Sequence, residues 1–177
     1  LLYFLDSHAY PVDKAMGSYD WIKQSQINWY REQSDKFAQE NGKILPALAF
    51  FHIPTPEFSD VKNNPLSIGT KGEEVCSPKL NSGLIASFLE KKDVLGVFVG
   101  HDHNNDFIGE FQDRICLAYG RKSGYASAYR EILDRGARVI TLYENEKRFD
   151  TYIRTLDTST LDFNYEQKVD REAYPIA

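Results

Sequence analysis

Two cysteines and one methionine stand among the 177 residues, and acidic side chains outnumber basic ones by 26 to 21. A net charge of −5 and a pI near 5.4 lack the basic face that non-specific nucleic-acid binding needs, so no nucleic-acid partner is expected. No apolar run reaches the roughly 20 residues that span a bilayer, so no transmembrane segment is expected. Cys76 and Cys116 fit no zinc or redox spacing, and both a disulfide and two separate thiols stay open. There is no internal repeat and no low-complexity segment. The opening Leu1-Leu2-Tyr3-Phe4-Leu5 is too short for a leader and has no basic flank. It reads instead as a buried strand, and the only methionine is Met16; the chain is therefore expected to be a piece of a longer protein.

What is present is a globular composition, 42% hydrophobic and 27% charged, long enough for one domain with its own core. Leu1–Leu5 is continuously apolar, as a strand covered on both faces would be. About Tyr19 to Glu40 reads as an amphipathic helix with Ile22, Trp29 and Phe37 on its inner face and Asn41-Gly42 as its stop. Ala47–Phe51 is a second apolar strand, ending at His52. From Ile53 to Asn81, prolines and glycines exclude a long helix or a central strand, and a loop of that length is usually functional or partly disordered. Ser82 is positioned to cap a helix whose stripe is Leu84, Ile85, Phe88 and Leu89, and Val94–Val99 is a third apolar strand. Period-two patterning then predicts hairpins from Phe107–Phe111 with Ile115–Tyr119 and from Arg138–Tyr143 with Arg148–Thr155. The residues from 157 onward read as a polar tail. The alternation of strands and helices in the first part implies parallel strands with crossover helices, and ligands bind such sheets at the carboxyl ends of the strands.

His52 and His101 both fall at such ends. Gly100-His101-Asp102-His103 follows a buried strand, and two imidazoles one residue apart at a tight turn can be aimed at neighbouring metal positions. A His-x-His in an arbitrary polar turn is most often structural. The preceding strand, Gly100 for close backbone approach, and a second strand-terminal histidine shift the balance toward ligation. Asp102 and Asn105 are candidates to orient the histidines, and Arg121, in the glycine-rich run Gly120–Gly124, is a candidate to approach a phosphate. A turn-satisfying role for the first two and a solvated loop for the third are the plain alternatives.

The order strand-His52-Ile53-Pro54, long loop, helix, strand-Gly100-His101-Asp102-His103 resembles the last two motifs of calcineurin-like metallophosphoesterases, the superfamily that includes purple acid phosphatases. The resemblance covers 1–156 and implies an α/β fold: the C-terminal half of a metallophosphoesterase β-sandwich flanked by helices, βαβαβ followed by antiparallel strands. It implies a phosphate-ester substrate and two divalent or trivalent metal ions (iron, zinc or manganese), with His52 and His101 on one and His103 on the other. The family's earlier motifs, Gly-Asp-x-x-Asp and Gly-Asn-His, occur nowhere in this sequence. Asp6-Ser7-His8 spells the family's first motif, but a helix follows where the second and third belong, so it reads as a loop after a later strand. A metal-dependent phosphatase or phosphodiesterase is thus expected of the parent. For these residues alone the expectation is an incomplete metal centre, no catalytic residue, and self-association or binding to the missing N-terminal half. The alternative is a non-catalytic binding module with a structural histidine-rich turn.

Overall fold

The computed structural model describes residues 1–125 and 132–155, with the backbone of 160–161. Its strands are β1 (Leu2–Phe4), β2 (Ala47–Phe50), β3 (Val94–Val99), β4 (Ile108–Phe111), β5 (Ile115–Tyr119), β6 (Gly136–Leu142), β7 (Phe149–Thr155) and β8 (Thr160–Leu161). Its helices are α1 (Gln24–Asn41), α2 (Phe58–Asn63) and α3 (Leu84–Lys91). A five-stranded sheet has the order β1-β2-β3-β5-β4, and β6-β7-β8 form a second, antiparallel sheet. β1, β2, β3 and β5 are parallel; β4 closes the far edge antiparallel to β5. The first expected hairpin therefore contributes β5 to the parallel sheet as well as turning back on itself. Apart from β8, the expected tail over 157–177 and the boundary at 156 lie outside the described residues.

Strand order advances in one direction from β1 to β3, so right-handed crossovers bring α1 and α3 to the same face. That face holds one core of Tyr3, Ile27, Tyr30, Ala49, Phe88, Val97 and their neighbours. The opposite face holds a second core in which Leu48, Leu95 and Phe98 meet Phe149 of β7. A Cβ on Gly96 would lie 2.9 Å from the Phe149 ring, so this glycine lets the second sheet close down on β3. With a layer on each side, all six residues of β3 are buried, as its unbroken apolar run requires. β7 is covered on one side and alternates: Phe149, Thr151, Ile153 and Thr155 are buried.

Four local expectations are corrected. α1 starts at Gln24 rather than Tyr19, because Gln26 reaches back to accept the Lys23 amide at 2.9 Å and fixes the first turn there. Its buried face is Ile27, Tyr30 and Ser34, with Trp29 exposed; the Tyr30 hydroxyl has a buried acceptor in Asp93, and nothing equivalent draws Trp29 inward. α3 is capped by Gly83, whose left-handed φ of 80° excludes most residues and whose amide donates to Asn81 Oδ1, so Ser82 is not the cap. β1 is not covered on both faces either. Tyr3 is buried, whereas Leu2 and Phe4, on the side of the second sheet but at the strand it does not cover, are 51% and 69% exposed. Both cysteines are free thiols.

Candidate functional site

Parallel pairing brings the ends of β2 and β3 level, with Phe50 opposite Phe98. The ladder runs on past the strands: Phe51 N donates to Phe98 O, and Gly100 N donates to His52 O at 3.0 Å. His52 and His101 consequently meet edge to face, their ring centroids 5.2 Å apart. A Cβ on Gly100 would stand 3.2 Å from His52 Nδ1, so the glycine's contribution is close approach. The left-handed residue of the turn is His101 itself, at φ 70°. Burial lowers the His101 pKa; the Asp102 carboxylate opposes this, and His52 and His103 add to it. His101 is thus a neutral imidazole at pH 7, the form that binds metals. His103 is partly buried, and its effect on His101 sets it in the same neighbourhood.

Sequence patterning missed Tyr19, whose ring meets His101 edge-on at 4.5 Å. It lies in the irregular segment before α1 that patterning assigned to the helix, where nothing marks a tyrosine as a site residue. Ser7 was also missed: buried, it accepts the Ile53 amide at 2.9 Å and pins the chain beside His52. Its neighbours Asp6 and His8 turn instead to Gln26 at the start of α1.

Asp102 and Asn105 are directed at the long loop, not at the histidines. Asp102 Oδ2 accepts from Cys76 N at 3.2 Å and from Tyr119 Oη at 2.5 Å. Asn105 Oδ1 accepts from Glu73 N, and Asp106 Oδ1 from Thr70 N. The loop answers with Glu73 Oε1, which accepts the Asn104 amide. Burial first, and then Asp102, push the Cys76 thiol up to about 11, leaving it protonated and unreactive at neutral pH. The polar run after His101 is a clamp for 70–76. Arg121 is likewise no solvated loop residue: its side chain is 1% exposed and forms a 3.3 Å ion pair with Asp106, equally buried.

Beside His52, where β1 and β2 diverge from β6, lies an open cleft of 550 Å³. Phe4, Phe50 and Phe98 form one wall, stacked 5.1 and 5.3 Å apart, and Arg121 and Arg138 lie on the other.

Neutral imidazoles suit a borderline metal, and His52, His101 and His103 fit the nitrogen share of a metal centre. They do not fit the whole of a dinuclear one. Among the described residues no three His, Cys, Asp or Glu side chains converge to hold an ion, and the nearby carboxylates Asp102 and Asp106 are engaged elsewhere.

No family model matches the chain. Individual proteins do. It is 40% identical over 154 residues to probable inactive purple acid phosphatase 29 of Arabidopsis thaliana, covering 83% of this chain and 39% of that protein. With probable inactive purple acid phosphatase 14 of the same plant it shares 39% over 132 residues, 70% of this chain and 33% of the relative. With phosphatase DCR2 of Saccharomyces cerevisiae it shares 35% over 186 residues, 96% of this chain and 31% of the relative. A helix-flanked parallel sheet followed by antiparallel strands is the architecture of a calcineurin-like C-terminal half, and the chain belongs to the metallophosphoesterase-related family of purple acid phosphatase-like proteins. The chain spans less than half the length of these curated relatives. The family is in general metal-dependent. No helix among the described residues is long and apolar enough to cross a membrane.

Proposed function

We propose that this chain carries the imidazole ligands of a two-metal centre for phosphate-ester hydrolysis, with His52 and His101 serving one metal and His103 the other. The observation that supports it is the 5.2 Å edge-to-face approach of His52 and His101 at the carboxyl ends of adjacent parallel strands. When bound, such metals supply charge stabilisation to a phosphoryl group. This chain's own share is to position the imidazoles: burial lowers the His101 pKa and favours its neutral form, Tyr19 walls it, and Gly100 admits His52. Without bridging carboxylates the site binds metal weakly and turns over little, because ligand number and charge set affinity.

Zinc titration followed by histidine ring NMR tests this. The signals of His52, His101 and His103 shift together, while His8, which contacts Gln26 and Asp6, does not. A uniform response of all four histidines, or none, would overturn the assignment.

A second reading has its own support, since several relatives are named as probably inactive. The chain is then a binding module whose histidine turn serves to hold Gly100–Asp106 against the 70–76 loop. It predicts unchanged zinc affinity after His101→Ala, whereas the metal-centre reading predicts its loss.

A further inference from the structure

The cleft beside His52 has a charge pattern that the metal reading does not use. Its lining includes Arg121 and Arg138 and, among the described residues, contains no carboxylate, in a chain of net charge −5. Behind the lining, Asp106 is the only acid among the described residues paired with either arginine, through the 3.3 Å contact to Arg121 Nη1. Neither that nitrogen nor Arg121 Nε makes a hydrogen bond, although both are buried. Arg138 spends its donors on neutral oxygens: the carbonyls of Tyr119 and Asp106 and the hydroxyl of Thr151. Among the described residues a buried guanidinium, Arg121, and a part-buried one, Arg138, thus share one carboxylate, and one positive charge is left over at the wall of an open cleft.

We propose that Arg121 and Arg138 form an oxyanion-binding site in this cleft, fitted to a phosphate or similar tetrahedral anion. Guanidinium groups are weakly hydrated and present paired donors, which suits them to a desolvated oxyanion contact. Burial, the largest influence on Arg138, pulls its guanidinium down to about 10, with Arg121 adding to the effect. An anion in the cleft relieves both costs. Exposed Ser123 on the rim gives the anion its entrance. The site needs no metal and does not rest on the imidazole assignment.

Inorganic phosphate is titrated into the whole chain by calorimetry in the presence of EDTA, so that the outcome is independent of any metal centre. One phosphate per chain is expected. Ser123→Glu puts a carboxylate at the rim without touching the core; it is expected to weaken binding by about tenfold or more, the scale of losing one charge-assisted contact, with the melting temperature unchanged. Arg148→Ala, which removes an exposed arginine that does not line this cleft, is expected to leave binding intact. No saturable binding, equal binding by Ser123→Glu, or an equal loss in Arg148→Ala would each overturn the site.

Discussion

Tyr30 sits in the middle of the helix-side core, and its hydroxyl donates to the Asp93 carboxylate at 2.5 Å while Tyr3 donates to the other oxygen at 3.1 Å. Asp93 is 2% exposed, so these two phenols are what make its burial tolerable. Tyr30→Phe should cost roughly 1.5–3 kcal/mol, the range for a hydrogen bond to a buried charge, measured by urea unfolding. The same groups set a pH limit. Burial, followed by the Asp93 charge, raises the Tyr3 and Tyr30 pKa values, and burial with Asp102 raises Tyr119. A raised folded-state pKa contributes stability in full below the unfolded value and loses it as pH climbs toward the folded one. Stability should therefore fall as pH passes about 10, the ordinary tyrosine value, and fall less steeply in Tyr30→Phe. At the site, Gly100→Ala should displace the exposed His52 by a few tenths of an ångström, lowering zinc affinity roughly tenfold with little change in melting temperature. The need for glycine at 100 was legible from Gly-His-Asp-His. Which residue of that turn would adopt the left-handed conformation was not, because His101 takes it in a turn closed by the Asp102 amide on Gly100 O.

β1 is the element least satisfied by its surroundings. One edge pairs with β2, its other edge has no partner among the described residues, and Leu2 and Phe4 face solvent beside Phe50. An unpaired, apolar edge favours association. Sedimentation of the purified chain should show concentration-dependent oligomers, and Phe4→Glu should shift them toward monomer; a monomer at every concentration would refute this. The opposite edge is better protected, because Ile68 exchanges two hydrogen bonds with Ile108 of β4. Strands were legible wherever a run was apolar on both faces, as in β3, or alternated, as in β7. The α1 stripe was not, since bulk and burial diverge there: Trp29 is large and exposed, and Ser34 small and buried. Nor could the sequence say that β5 would run parallel to β3, which depends on the connection after β3 carrying the chain out to the edge position of β4 before β5 returns beside β3.

At the scale of the whole molecule, the metal-centre proposal predicts no substantial turnover of an aryl phosphate by residues 1–177. Robust hydrolysis that survives both His101→Ala and His103→Ala would be incompatible with it. The histidines were legible because they end apolar strands. Arg138, lying in β6 and far along the chain from His52, could be connected with it only by the packing of the second sheet on the first. That packing also holds Arg138 over the turn after β3, where it donates to the Asp106 carbonyl at 2.6 Å. Asp106 and its neighbours in turn grip the segment from Thr70 to Cys76 at four backbone amides: Thr70, Gly72, Glu73 and Cys76. A protease cleaves where some ten residues can peel into its groove, and here each short stretch is fastened before the next begins. By shape this is a loop, yet limited digestion should leave it whole while the irregular run around exposed Tyr10 and Val12, held by fewer bonds, is cut first.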